Sequence, residues 1–184
     1  MSKVGFSGGS SIIELGFISD MQLFFDCINY YVVPAYPEID FSLITDRLYK
    51  RYLKLDDLDL GLKLMKIIQE KFQELDRESV DWQPMETGIV DTKLDIYKEN
   101  LYRIYHRYFS GFNEIVDSCY SFDESFRDVS DYEPRLVMIS LSDIPIFFTY
   151  NEIPLTVFDA LNENEGPIWK TGKIPERLAH LKND

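Results

Sequence analysis

Residues 94–119 read LDIYKENLYRIYHRYFSGFNEIVDSC. Leu94, Tyr97, Leu101, Ile104, Tyr105, Tyr108, Phe112, Ile115 and Cys119 fall at steps of three and four, which stacks them on one face of an α-helix. The spacing predicts a long helix beginning at Leu94. Gly111 weakens its middle and marks a kink or a break. Its apolar face is rich in tyrosine, which suits a half-wet packing surface better than a deep core.

Toward the N-terminus the same period recurs. Leu55, Leu58, Leu62, Met65, Ile68, Phe72 and Leu75 predict a second amphipathic helix, with Asp59–Lys63 and Lys66–Glu70 pairs on its outer face. Ahead of it, Asp40 can cap a helix carrying Ile44, Leu48 and Tyr52. Earlier still, Ser19-Asp20-Met21-Gln22 reads as a capping box before Phe24, Phe25, Ile28, Tyr31 and Val32, and Pro34 and Pro37 end that helix. Val4–Phe6 and Ile12–Phe17 flank Ser7-Gly8-Gly9-Ser10, the pattern of an N-terminal hairpin. Val80–Gln83 predicts a short strand before Pro84, and residues 85–92 a connection.

Toward the C-terminus, Leu136–Leu141 is an uninterrupted apolar run, as expected of a strand buried on both faces. Ser142-Asp143 would link it to a second strand, Ile144–Tyr150, which Pro145 confines to a sheet edge or a bulge. Pro154 suits the first turn of a last helix with Val157, Phe158 and Leu161 inward. Residues 162–184 turn polar and read as loosely held. Together these elements predict one α+β domain over residues 1–184: a small, largely antiparallel sheet, with an N-terminal hairpin and C-terminal strands, packed against four to five helices.

Composition narrows the function. With 32 acidic and 19 basic residues the net charge is −13, which repels nucleic acid and anionic membranes and attracts basic partners. At 45% hydrophobic residues, the 184-residue chain can build a core. Two cysteines, Cys27 and Cys119, make no disulfide framework and fall in apolar helical patterns. The N-terminus is not a signal peptide, and no apolar run reaches the length of a membrane span, so a reducing, cytoplasmic setting is expected.

Catalytic signatures are sparse. His106 lies within the long helix with no nucleophile motif to serve, and His180 lies near the C-terminus. Two cysteines and two distant histidines form no zinc set, and Ser7-Gly8-Gly9-Ser10 lacks the ending of a phosphate-binding loop. Acidic pairs such as Asp56-Asp57 are common in so acidic a chain. No catalytic residue, cofactor or metal is expected. The stretch 121–134, SFDESFRDVSDYEP, is the densest cluster of charge and aromatics. Its acids are irregularly spaced and it contains no glycine, unlike a calcium loop. It reads either as a solvated acidic connection or as a recognition surface. In the second case Asp123, Glu124, Asp128, Asp131 and Glu133 would oppose basic groups, and Phe126 and Tyr132, with Phe122 nearby, would supply apolar contact.

The segments SSIIELGFISDMQLFFDCINYYV, LITDRLYKRYLKLDDLDLGLKLMKIIQEKFQEL, SVDWQ and FFTYNEIPLTVFDAL resemble, in their order and core pattern, the immunity proteins of bacterial polymorphic-toxin and contact-dependent growth inhibition systems, and specifically the immunity protein 70 family. The resemblance covers residues 4–83 and 144–161; residues 91–135 are an apparent insertion of helix and acidic loop. It implies a non-catalytic protein that binds a cognate toxin C-terminal domain, often a basic nuclease such as a tRNase, and neutralises it in the cytoplasm. Added segments are then reasonable places for specificity. The alternatives are an acidic adaptor or nucleic-acid mimic regulating a basic host protein, and a small hydrolase using scattered carboxylates.

Overall fold

A computed structural model describes residues 2–141 and 153–183. The expected strand Ile144–Tyr150 and its link lie outside the described residues.

The N-terminal hairpin is present. Strand β1 (Lys3–Gly8) pairs antiparallel with β2 (Ser11–Phe17), and their register shifts between Val4 and Gly5. Gly9 closes the turn at φ 55°, a left-handed conformation that favours glycine. A Cβ there would also lie 2.5 Å from the backbone carbonyl oxygen of Ser118, so the turn and the long helix meet at van der Waals limits.

Helix α1 (Ile18–Cys27) follows directly and continues as π-helical turns over Ile28–Val32, ending at Pro34 as expected. Its N-terminus differs from the expectation. Phe17, not Ser19, caps the helix, and the Asp20 carboxylate accepts the Phe17 N–H at 3.0 Å. Ser19 instead donates its hydroxyl to the Asp91 carbonyl. Residues 42–50 are helical, mostly with π geometry, and Asp40 accepts the Ser42 N–H at their start. Helix α2 (Leu58–Gln73) is present, but its buried stripe is Leu58, Gly61, Leu64, Met65, Ile68 and Phe72, whereas Leu62 is only half-buried. Neither expected ion pair forms on its outer face. Among the described residues Lys71 pairs with Glu74, and Asp59 accepts the Tyr120 hydroxyl from another helix. Residues 80–83 are not a strand: Trp82 starts the short helix α3 (Gln83–Glu86) and donates its indole N–H to the Arg77 carbonyl.

The long helix, α4 (Leu101–Phe126), departs from the prediction at both ends. It begins at Leu101 because the Asn100 side chain accepts the Arg103 N–H at 2.9 Å and caps it there. It runs on to Phe126, so the first part of the acidic stretch is helical. Gly111 does not break it, since the helix runs through that position without interruption. A Cβ on Gly111 would lie 3.1 Å from Ile13 and 3.2 Å from Leu15, so its bare backbone lets β2 approach the helix. The tyrosine face is not half-wet either, since Tyr105 and Tyr108 are fully buried. Phe24 is the hub of this core, with the rings of Phe25, Phe72, Tyr105, Tyr108 and Phe109 all centred within 5.8 Å of its own. Such tilted and edge-on pairs each add about 0.5–1.5 kcal/mol beyond area burial.

Strand β3 (Met138–Leu141) pairs antiparallel with β1, giving the sheet order β2-β1-β3. The run 136–141 is buried on both faces, as its composition predicts. Val137, Ile139 and Leu141 join the main core, while Leu136 and Met138 join a second apolar cluster with Val157, Phe158 and Leu161. Ser140 meets Ser7 across the sheet through their hydroxyls at 2.8 Å.

Pro154 precedes helix α5 (Leu155–Asp159), as expected, but it is not the last helix. Helix α6 (Ile168–Thr171) and 3₁₀ turns over Glu176–Asn183 follow. Nor is this region loosely held: Ile168, Trp169 and Leu178 are buried. Three consecutive residues clamp it. Lys50 donates to the carbonyls of Asn162 and Glu163, Arg51 to those of Phe158 and Leu161, and the Tyr52 hydroxyl to Asp159. Arg177 adds a two-pronged pair to Glu165. Among the described residues the architecture is α+β: a three-stranded antiparallel sheet with helices packed against it.

Candidate functional site

The end of α4 sets the geometry of residues 121–134. Phe122 and Phe126 are one helical turn apart, and their rings lie 4.6 Å apart. Beyond Phe126 the chain reverses through Asp131, whose φ of 62° is left-handed, a conformation aspartate tolerates better than most residues. The reversal lays Tyr132 back against the helix. Its ring stacks on Phe122 at 6.3 Å, and its hydroxyl donates to the Asp123 carboxylate. Burial, and then the bond to Asp123, push the Tyr132 phenol up to about 12, so it remains a donor across the physiological range. The Arg135 guanidinium covers the Phe122 ring at 4.6 Å. Phe122 is thus held by Phe126, Tyr132 and Arg135 together.

These contacts divide the expected site residues into two groups. Asp123 and Tyr132 satisfy each other and brace the turn. Glu124, Phe126, Asp128, Asp131 and Glu133 are exposed. Tyr132 is therefore a strut rather than a free anchor, because its hydroxyl and one ring face are already engaged within the chain.

A groove of about 800 Å³ runs alongside, and four of the expected residues line it: Phe126, Asp131, Tyr132 and Glu133. Glu124 and Asp128 do not. Glu124 lies two helical positions from either phenylalanine and so points around to another side. Lys54, Leu55 and Asp56 line it too, brought alongside by the backbone bridge between Leu53 and Val137, as does Leu155. Seven large hydrophobic side chains are exposed among the described residues, and three of them, Phe126, Val129 and Leu155, line this groove. Sequence reasoning missed Val129 and Leu155 because each is unremarkable locally, and only folding brings positions 55, 129 and 155 together. Asp56 carried a weak signal as part of the run Asp56-Asp57, but nothing in the run points to residues 131–133.

His106 is exposed on α4, with Nδ1 3.4 Å from the Arg103 carbonyl oxygen. Burial pushes the Cys27 thiol up to about 12 and the Cys119 thiol up to about 11, far from the thiolate that nucleophilic chemistry requires. Among the described residues no three His, Cys, Asp or Glu side chains are grouped to hold a metal ion, and no helix is long and apolar enough to cross a membrane. The buried carboxylate, Asp20, has a structural assignment. It accepts from the Phe17 N–H, the Thr92 hydroxyl at 2.5 Å and the Lys93 N–H at 3.0 Å, tying the 91–93 loop to α1. The site therefore offers shape, apolar area and negative charge, the ingredients of binding.

Comparisons with protein-family models, with curated proteins and with solved structures give no match to this chain.

Proposed function

We propose that this chain is a binding protein of the immunity type, which neutralises a toxin domain in the cytoplasm by stoichiometric occlusion. One observation carries the reading: exposed apolar side chains and carboxylates meet at one groove, braced by the Phe122 and Asp123–Tyr132 contacts. Buried apolar contact supplies affinity, while surrounding charge supplies on-rate and discrimination. A braced surface also loses less conformational entropy on binding than a loose acidic loop would. The net charge of −13 suits a basic partner, such as a nuclease whose substrate cleft is cationic. The sequence resemblance to immunity proteins gives the same direction.

The test is co-expression with the polypeptide encoded by the adjacent upstream reading frame. If that polypeptide is toxic, cells carrying this chain should survive, and the two should co-purify. Titration with the purified chain should remove the toxic activity linearly and end at a fixed ratio. Inactivation that continues with time at substoichiometric amounts would point to an enzyme and would sink the proposal.

A further inference from the structure

We infer that the groove receives a cationic, amphipathic polypeptide segment, whose apolar side chains enter between Phe126, Val129 and Leu155 while its lysines or arginines reach the carboxylates that line it. The inference rests on the binding function proposed above and specifies what docks.

Two observations carry it. The first is the concentration of exposed apolar side chains. Phe126 is 45%, Val129 55% and Leu155 40% exposed, and all three face one space of about 800 Å³. Apolar surface gathered in a concavity gains far more from an apolar occupant than the same side chains scattered over a convex surface.

The second is the placement of charge. Asp131 and Glu133 line the groove together with Asp56, so a segment lying in it meets carboxylates from two separate stretches of the chain. Glu124 and Asp128 extend the negative field along the outside of the helix end. Two cations also line the groove, but Arg135 is turned onto the Phe122 ring. Lys54 remains a lining cation, so the groove carries three carboxylates, Asp56, Asp131 and Glu133, against Lys54 and Arg135. Nucleic acid would place phosphates against these carboxylates, and an acidic peptide would do the same, whereas a cationic chain with apolar side chains satisfies both features. The brace fixes the stretch that carries most of the charge, so both sets of contacts can form at once.

Three labelled synthetic peptides make the test: a helix-forming sequence of leucine, phenylalanine and lysine, the same sequence with glutamate replacing lysine, and one of lysine and alanine only. Fluorescence anisotropy at low and moderate salt should show the first binding with one-to-one stoichiometry, at least about tenfold tighter than either other. The double variant Phe126→Ser/Val129→Ser should weaken it about tenfold, which is ~1.4 kcal/mol. Its unfolding midpoint should fall only modestly, because Val129 is largely exposed and Phe126 gives up one ring contact, with Phe122, while Tyr132 and Arg135 still cover that ring. Tyr30→Ser removes an exposed aromatic elsewhere and should leave binding unchanged. Equal binding of the lysine–alanine peptide, or unaltered binding by the double variant, would overturn the inference. So would a dimer of the free chain that the double variant dissociates, since the groove would then belong to a second copy. A double variant that loses the peptide but still neutralises the upstream polypeptide separates the readings: the docking assignment fails and the proposed function stands. A groove that binds the cationic peptide on a chain that neutralises nothing supports the docking and defeats the proposed function.

Discussion

Replacing Asp20 by alanine is the sharpest test of how the N-terminal half is held together. The carboxylate is completely buried and accepts three hydrogen bonds, from the Phe17 and Lys93 backbone N–H groups and the Thr92 hydroxyl. Hydrogen bonds to charged groups contribute about 1.5–3 kcal/mol each, so three bonds set a gross figure of roughly 4.5–9 kcal/mol. Two effects reduce it. Removing the carboxylate also removes its desolvation penalty, several kcal/mol for a buried ion. Lys93 is exposed, so its freed N–H can reach water. The half-buried Phe17 N–H at the helix start is the group left worst off. A net loss of about 3 kcal/mol follows, a large share of a typical ~5–15 kcal/mol stability. With a urea slope near ~2 kcal/mol per M, the midpoint should fall by about 1.5 M. Asp20→Asn retains one acceptor and should lose less. Amide exchange should locate the effect, with Phe17 and Lys93 losing protection beyond the global change in both variants. A midpoint shift worth less than ~1 kcal/mol for Asp20→Ala would refute the assignment of this carboxylate as the tie between α1 and the 91–93 loop.

Further expectations concern the core, the thiols and the C-terminal clamp. Met65→Ala, at a buried position facing α4, should cost about 2–5 kcal/mol, whereas Leu62→Ala, half-buried, should cost clearly less; equal midpoint shifts in urea would contradict the observed face of α2. Cys27 and Cys119, buried and with thiol values raised to about 12 and 11, should resist a disulfide-exchange reagent at mildly alkaline pH until the chain unfolds, and rapid labelling of the native protein would refute that. The Arg177 hydrogen bonds, with the Asn162 N–H, hold the Glu165 carboxyl down at about 2, below the ordinary glutamate value of 4.5. A depressed folded value means the stabilisation is fully present above 4.5 and disappears as pH falls through about 2. Glu165→Gln should therefore be less stable than the parent near neutral pH, with the gap closing across that acid window; a gap independent of pH would show that the ion pair contributes nothing.

Periodicity and composition determined the type of the longest elements, though not of residues 80–83, expected as a strand and found leading into a short helix. The hairpin follows from alternating apolar residues around Gly8-Gly9, α2 and α4 from steps of three and four, and the two-sided burial of β3 from an unbroken apolar run. These are local properties, because a side chain's direction along a helix or strand is fixed by backbone geometry within a few residues. The end of α2's stripe that counts as core is not local. Leu62 and Leu64 are equally apolar, and only the packing of the elements around α2 decides that Leu64 is covered and Leu62 half-covered. The depth of Tyr105 and Tyr108 was hidden for the same reason: tyrosine is compatible with a wet surface or a core, and burial depends on Phe24 and Phe72 arriving from other helices. Residues 162–183 look polar, yet they are ordered by the scattered apolar residues Ile168, Trp169 and Leu178, which folding buries, and by Lys50 and Arg177 holding backbone carbonyls and a carboxylate, contacts that leave no apolar period. At the site, the density of charge and aromatics marked residues 121–134, but the sequence treats every side chain in that stretch alike. Tertiary structure alone made Asp123 and Tyr132 an internal brace, left Glu124 and Asp128 outside the groove, and brought Phe126, Val129, Asp56 and Leu155 to line it together. The stretches that line it are distant in sequence, and the backbone bridge between Leu53 and Val137 is what joins them, a pairing that no local pattern announces.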